Sequence, residues 1–225
     1  EDIRKSLVGL SEMTQHLLYH RQIHDLQNAE IFLNPDYTSG IYDPYLLKDM
    51  DKAVSRFLKA IFENETVAIF SDYDADGIPG AVVLSDFFKK IGYQNFIVYI
   101  PHRDDEGYGM NTKALDFLKE QNVSLVITID CGISDHQKIS YANSLQMDVI
   151  VTDHHLPHDL LPEAFAIINP KQKDCLYPEK MLCGCAVIFK FICAVISNND
   201  FKNKYNIPAG WEKWLLDMVG LATLS

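Results

Sequence analysis

The sequence predicts an α/β fold, in which a parallel sheet of about five strands is covered by helices on both faces and preceded by a short helical segment. Two observations support this prediction. Short runs that are apolar throughout and rich in β-branched residues are typical of parallel strands buried on both faces. These runs alternate with stretches of helical periodicity, which indicates right-handed strand–helix–strand units. We expect residues 1–42 to form a helical extension and residues 43–225 to form the α/β domain.

Apolar residues at helical spacing predict short helices within residues 1–30, and a stretch rich in Asn, Pro, Asp, Ser and Gly predicts a loop over residues 33–42. The predicted strands cover residues 67–70, 96–100, 124–130, 148–152 and 166–170. The predicted helices cover residues 44–63, 77–90, 112–120, 134–145, 181–196 and 211–224. In the last of these helices we expect Trp214 and Leu215 to be buried.

Capping residues precede two of the predicted helices. Asn111 or Thr112 can cap the helix that runs to about residue 120, because their side chains can accept a hydrogen bond from a free amide of the first turn. Ser134 or Asp135 can do the same for the next helix. Pro44 fits the first turn of the helix that leads into the sheet, where its missing amide donor costs nothing.

The composition restricts the class of protein. With 225 residues, of which 48% are hydrophobic, the chain can bury a sizeable core. No apolar run approaches the length of a membrane span and the sequence starts without a signal peptide, so we expect a cytoplasmic protein with no membrane partner. The five cysteines have none of the usual metal-ligand spacings and are interpreted as structural thiols.

Acidic residues and imidazoles follow three of the predicted strands, at the points where those strands end. They are Asp72, Asp74 and Asp76 after the first strand, Asp130 after the third, and Asp153, His154 and His155 after the fourth. Adjacent parallel strands lie about 5 Å apart, so these side chains can converge at one edge of the sheet. Carboxylates that close repel one another unless a cation neutralises them. The sequence therefore predicts a site for one or two divalent cations.

Several stretches resemble the DHH phosphoesterases, a family named after the triplet found here at residues 153–155, and within it the RecJ branch of single-stranded-DNA-specific exonucleases. The matching stretches are residues 32–35, 43–53, 72–80, 100–103, 106–109 and 184–190. The resemblance thus extends over nearly the whole chain.

The resemblance implies a two-metal phosphodiesterase. It assigns metal ligands to Asp74, Asp76, Asp130 and His154, with Asp130 as the bridge between two ions, and Asp72 is a further candidate. A site made of carboxylates and an imidazole suits Mn²⁺, with Mg²⁺ as the alternative.

The same resemblance assigns the chemistry to Asp130, His154 and His155, with His155 in contact with an oxygen of the scissile phosphate. Asp153 is expected to orient an imidazole from behind the ligands.

The loop over residues 101–109 contains one arginine, one histidine and two glycines. These residue types suit a phosphate, since arginine can donate two hydrogen bonds at once and glycine lets the backbone approach closely. A solvated turn is the alternative that the residues leave open. The resemblance favours the phosphate-binding role, for Arg103 and His102 together with His155.

Two positions depart from the RecJ pattern. Phe70 stands where RecJ-like sequences usually have a histidine ligand, and Asp72 could partly compensate for its loss. The family's last acidic ligand is expected beyond Ser225, together with further domains of the same protein. A net charge of −11 is unusual for a nucleic-acid-binding protein, so the basic surface must be local or lie on such a further part.

Three hypotheses follow for the function. The first is a metal-dependent exonuclease that degrades single-stranded DNA from its 5′ end in recombination and repair, with substrate and polarity implied by the resemblance alone. The second is a DHH phosphodiesterase acting on oligoribonucleotides or cyclic dinucleotides. The third is a non-catalytic DHH scaffold in a replication or repair assembly, which Phe70 and the acidic composition favour.

Overall fold

The computed structural model describes residues 6–225 and divides the chain after Tyr42 into two compact units. The smaller unit contains helices α1 (Glu12–His20) and α2 (Leu26–Leu33) and the single-turn helix α3 (Tyr37–Gly40). Its small core consists of Leu7, Leu18 and Ala29. The helix α3 lies within the predicted loop, because the side chain of Asp36 accepts a hydrogen bond from the amide of Ser39 and so starts a turn.

The larger unit is built on a five-stranded sheet in which every neighbouring pair is parallel. The strands are β1 (Thr66–Ser71), β2 (Phe96–Tyr99), β3 (Val123–Ile129), β4 (Asp148–Thr152) and β5 (Ala166–Ile168). Their order across the sheet is β2-β1-β3-β4-β5. The α/β fold with about five parallel strands is therefore confirmed.

Helices cover both faces of this sheet. They are α4 (Met50–Glu63), α5 (Gly77–Lys90), α6 (Thr112–Glu120), α7 (His136–Ser144), α8 (Gly184–Ser197), α9 (Asn199–Lys204) and α10 (Leu216–Thr223). Buried side chains of α6 and α7 pack with the sheet residues Ala68, Phe70 and Val126 in one hydrophobic core. Between α4, α5 and α8, the rings of Phe57, Phe87 and Phe191 are in contact and fully buried.

Two predicted helices differ from the structure. The helix predicted over residues 44–63 begins only at Met50, because Pro44–Leu46 forms a 3₁₀ turn and Asp49 then adopts a left-handed conformation with φ of 61°. The predicted final helix is a 3₁₀ turn, Trp211–Leu215, followed by α10. Trp214 is 80% exposed, so its predicted burial is wrong, whereas Leu215 is buried as expected. A 3₁₀ helix has three residues per turn, so the successive side chains of Trp214 and Leu215 point in different directions and only that of Leu215 faces the core.

The predicted capping of α7 is also wrong. Asp135 occupies the N-cap position but makes no capping hydrogen bond. Its carboxylate instead accepts a hydrogen bond from the amide of Met110, at 3.0 Å. Asn111 does cap α6, where its side chain accepts a hydrogen bond from the amide of Ala114 at 2.8 Å.

A buried arginine of α4 is paired with acidic residues at the starts of two strands. Arg56 of α4 is 7% exposed and forms ion pairs with Glu65 at 2.7 Å and with Asp148 at 2.6 Å. Burial opposes the ionisation of Glu65, but the Arg56 guanidinium and the Ser124 hydroxyl hold the pKa of Glu65 below its ordinary value. The network ties α4 to the starts of β1 and β4, at the edge of the sheet opposite to the acidic residues.

Candidate metal centre

The carboxyl ends of three adjacent strands bring the acidic residues together. The amides of Asp72, Asp130 and Asp153 each donate a hydrogen bond to the carbonyl of the last residue of the neighbouring strand, at 3.2, 2.9 and 3.1 Å. The ladder of the parallel sheet therefore continues one residue beyond each strand and fixes these three backbones side by side.

The side chains form two groups of potential metal ligands that share one member. Asp72, Asp74 and Asp130 form the first group, and Asp130, His154 and His155 form the second. In each group the ligand atoms lie within 4.8 Å of one another. Asp130 therefore lies where a residue that bridges two ions would have to lie.

Asp130 is fully buried, and neither of its carboxylate oxygens accepts a hydrogen bond from any of residues 6–225. Burial raises the pKa of Asp130 to about 10, with further contributions from the nearby carboxylates of Asp76 and Asp74. Its Oδ1 is 3.0 Å from Nε2 of His154, without the geometry of a hydrogen bond. This separation of 3.0 Å matches that of two ligands bound at right angles to one ion, which is about 3 Å when each bond is about 2.1 Å long. Buried carboxylate oxygens without a donor, next to an imidazole nitrogen, fit a divalent cation.

Asp72 and Asp74 contribute to the first group in different ways. Asp72 is 3% exposed, its Oδ1 has no hydrogen-bond partner among the described residues, and burial raises its pKa. Asp74 accepts hydrogen bonds from the amides of Asp76 and Gly77 at 3.1 and 3.0 Å. Burial opposes its ionisation, but these amides at the positive end of α5 hold the pKa of Asp74 below its ordinary value.

Asp76 lies at the margin of both groups. Its Oδ2 accepts a hydrogen bond from the amide of Gly184 at 2.7 Å and is 3.5 Å from Nε2 of His154. Gly184 starts α8, and a Cβ atom there would be only 2.5 Å from the Cβ of Asp130. A side chain at position 184 is therefore excluded. In the sequence, the only signal for this glycine is the resemblance of the stretch around it.

Asp153 lies behind the imidazoles and is fully buried. It accepts hydrogen bonds from the amides of Ile133, His154 and His155 at 2.9, 2.7 and 3.0 Å. Its Oδ1 is also 2.8 Å from Nδ1 of His155. Despite burial, these contacts hold the pKa of Asp153 below its ordinary value, and the Asp153 carboxylate raises the pKa of His155. This arrangement can fix the orientation of the His155 ring.

The loop that was expected to bind phosphate is held by a carboxylate of its own. Glu106 accepts hydrogen bonds from the Tyr99 hydroxyl at 2.6 Å, the His102 amide at 2.7 Å and the Asn111 side chain at 3.0 Å. The guanidinium of Arg103 lies over the ring of Tyr73, 4.9 Å from its centre. Tyr73 stands between two residues of the acidic stretch, so this contact holds the Arg103 guanidinium next to that stretch.

The other two residues of interest in this loop point in different directions. Nδ1 of His102 is 3.2 Å from a carboxylate oxygen of Asp105, and both side chains are exposed. The hydroxyl of Tyr108 donates a hydrogen bond to the carbonyl of Asp130 at 3.2 Å and is 3.4 Å from Nδ1 of His155. The structure therefore brings Tyr108 to the centre. No role is predicted for it from the sequence, where its position in the glycine-flanked loop is the only available signal.

Phe70 contributes nothing to the ligand groups. Its side chain is fully buried in the core formed with α6 and α7, and its ring stacks on that of Tyr99 at a centroid distance of 5.4 Å and an interplanar angle of 12°. Asp72, two residues later, is the nearest acidic residue of the same chain segment.

Comparison with known proteins agrees with the arrangement of these residues. The DHH family, N-terminal domain, matches residues 66–223. The chain is 38% identical over 199 residues to the single-stranded-DNA-specific exonuclease RecJ of Bacillus subtilis, an alignment that covers 87% of this chain and 25% of that protein.

Two solved structures have a similar fold. A crystal structure of exonuclease RecJ bound to manganese superposes with a TM-score of 0.62 and 25% identity, over 77% of this chain and 47% of the other. RecJ from Thermus thermophilus in complex with Mn²⁺ superposes with a TM-score of 0.68 and 21% identity, over 97% of this chain and 32% of that protein. The chain spans about a quarter of the length of its Bacillus subtilis relative. The match over most of the chain confirms the resemblance seen in the sequence, and the chain belongs to the DHH family.

Proposed function

We propose that this protein is a metal-dependent phosphodiesterase that acts as an exonuclease on single-stranded DNA. The observation that carries the proposal is Asp130, whose two buried oxygens have no donor among the described residues and lie where two ligand groups meet. The similarity to proteins named as single-stranded-DNA-specific exonucleases supports the choice of substrate.

In this proposal the ions are Mn²⁺ or Mg²⁺, as in the RecJ crystal structures. They would be held by Asp74, Asp76, Asp130 and His154, with Asp72 as an additional ligand. Divalent ions bound there would supply Lewis-acid chemistry at a phosphate and a nucleophile derived from water.

The remaining residues act on the substrate. His155, held by Asp153, donates a hydrogen bond to an oxygen of the scissile phosphate. Arg103, held over Tyr73, binds a phosphate with two parallel hydrogen bonds, and His102 assists at the outer edge of the same loop. Tyr108 keeps its proton because burial raises its pKa, so its hydroxyl can anchor the loop to the Asp130 carbonyl while substrate is bound.

Cleavage from the 5′ end, a role in recombination and repair, and a location in the cytoplasm complete the proposal. They rest on the resemblance to RecJ. The expected ligand and domains beyond Ser225 stay predictions.

One observation favours a different function, that of a scaffold without turnover. Phe70 supplies no ligand and is packed in the core, so one ion would have fewer protein ligands than a histidine at this position would give it.

Among residues 6–225, no helix combines the length and hydropathy needed to cross a lipid bilayer.

The test is to incubate the chain with Mn²⁺ and a single-stranded DNA oligomer labelled at either end, alongside a ribodinucleotide. Asp76→Asn removes a proposed ligand, and Asp86→Asn, on the exposed side of the helix α5 that follows Asp76, is the matched control. We expect mononucleotides from the 5′ end with the unaltered chain and with Asp86→Asn, and none with Asp76→Asn. Cleavage of the ribodinucleotide alone would favour the small-substrate enzyme. Binding of Mn²⁺ in calorimetry without turnover of either substrate would favour the scaffold.

A further inference from the structure

A cavity outside the candidate metal centre begins one residue after the DHH triplet. It has a volume of about 530 Å³ and is bounded by the loop of residues 156–161, by residues 171–174 after β5, and by Lys48. Leu156, the first residue of its wall, follows directly on His155.

The walls of this cavity are basic in a protein that is strongly acidic overall. Lys48, Lys171, Lys173 and His158 line it, against two aspartates. Lys48 is neutralised by one of them, Asp174, at 3.0 Å. Within residues 6–225, neither the ammonium group of Lys171 nor that of Lys173 forms an ion pair or a side-chain hydrogen bond. With a net charge of −11 for the whole chain, this is a local positive surface of the kind that phosphate binding requires.

Gln172, one of the residues that line the cavity, has a buried side-chain carbonyl without a partner among the described residues. Gln172 is 4% exposed and donates a hydrogen bond from Nε2 to the carbonyl of Ile167 at 2.7 Å, whereas its Oε1 accepts none from the described residues. Four buried side-chain atoms of residues 6–225 lack a partner, and the other three belong to Asp72 and Asp130. Buried polar atoms are rarely left unpaired, so this acceptor requires a donor from outside the chain.

The cavity is held at a fixed position relative to His155. The side chain of Asn169, which is fully buried, donates a hydrogen bond to the carbonyl of His155 at 2.9 Å. Its Oδ1 accepts a hydrogen bond from the amide of Lys171 at 2.8 Å. One amide side chain thus connects the backbone of the DHH triplet to the backbone of the lysine-bearing wall.

We propose that this cavity binds a second nucleotide of the single-stranded substrate, away from the bond that is cleaved. Its phosphate is bound by Lys171 and Lys173, and an N–H of its base donates to Oε1 of Gln172. This assignment rests on the proposed function for the identity of the strand.

The test measures binding separately from cleavage. Fluorescence anisotropy with a labelled oligothymidylate in EDTA, over a series of salt concentrations, compares the unaltered chain with the double variant Lys171→Met/Lys173→Met. The matched control is Lys113→Met/Lys119→Met on α6, which removes the same charge from an exposed helix face. Each phosphate contact contributes about 0.7 to the salt dependence of single-strand binding. Because both lysines bind the same phosphate, we expect the slope of log K against log salt to fall by about 0.7 for the cavity variant and to stay unchanged for the control.

A second comparison tests the contact with the base. The unaltered chain should bind the oligothymidylate more tightly than an abasic strand of equal length, and Gln172→Met should remove that preference. Equal slopes for both lysine variants, or a preference for bases that survives Gln172→Met in a variant with unchanged thermal unfolding, would overturn the proposal. If the unaltered chain binds with the expected slopes but cleaves nothing in Mn²⁺, the proposed function fails while the cavity assignment stands.

Discussion

The metal centre should destabilise the fold when no metal is bound, and Asp130→Asn should relieve that effect. The carboxyl of Asp130 is buried among other acids and keeps its proton up to a pKa of about 10, whereas in the unfolded chain it ionises near 3.8. Between about pH 4 and pH 10 the folded state therefore binds one more proton than the unfolded state. The free energy of unfolding of the metal-free protein should accordingly decrease as the pH rises through this range.

The magnitude follows from the same values. From 3.8 to pH 7 there are about 3.2 pH units, each worth about 1.36 kcal/mol, so keeping Asp130 neutral costs the folded state about 4 kcal/mol at pH 7. An asparagine avoids this cost but still buries an amide with few partners, at about 1–3 kcal/mol. We therefore expect Asp130→Asn to raise the free energy of unfolding at pH 7 by about 1–3 kcal/mol in EDTA, and to flatten its pH dependence.

Urea denaturation in EDTA at pH 5, 7 and 9 measures this effect, with Asp153→Asn as the control. Asp153 is equally buried, but its pKa is lowered because it accepts several hydrogen bonds, so its replacement should destabilise the metal-free protein by about 1–3 kcal/mol. With saturating Mn²⁺, the unaltered protein should gain stability and Asp130→Asn should gain much less. A metal-free Asp130→Asn protein that is less stable than the unaltered chain at pH 7 would refute the reasoning.

Three further predictions concern other parts of the structure. Arg56→Met leaves Glu65, whose side chain is only 16% exposed, without its cationic partner and should destabilise the protein by about 3–5 kcal/mol in urea at pH 7. Because the folded pKa of Glu65 lies below its unfolded value of 4.5, this loss should persist above pH 4.5 and shrink as the pH falls through the folded value, and an equal loss at pH 3 would contradict it. Gly184→Ala places a Cβ 2.5 Å from that of Asp130 and should weaken Mn²⁺ binding roughly 10- to 100-fold in calorimetry, where an unchanged affinity would exclude the role of this contact. Glu106→Gln weakens the hydrogen bonds that hold its loop and should raise KM for a DNA oligomer roughly 3- to 10-fold with little change in kcat, while a fall in kcat alone would argue against a binding role for the loop.

The sequence predicted the sheet well because its signals are local. Each strand is a short apolar run, and the acid or imidazole that follows it marks the edge of the sheet where ligands bind. The helix α5 spans Gly77–Lys90 as expected, because a glycine after the acidic stretch and a proline in the first turn both mark its start.

The wrong capping of α7 comes from a contact between distant parts of the chain. The sequence around Asp135 has the form of a helix cap, but the carboxylate is instead bound by the amide of Met110, which lies 25 residues earlier. The same holds for Gly184, whose amide binds Asp76 across 108 residues. No local pattern records such a contact, whereas the convergence of the acids follows from the order of the strands.

The distance in sequence between Asp76 and Gly184 has a consequence for synthesis on the ribosome. The first carboxylates of the centre emerge early, but the glycine that holds Asp76 and begins α8 emerges 108 residues later. At position 80, a second glycine packs closely against Ile129 and Cys185, so α5 also depends on α8 for its final packing. A nascent chain must therefore carry a group of unneutralised acids while the 108 residues that follow Asp76 are synthesised, and it can complete the centre only when α8 has left the exit tunnel.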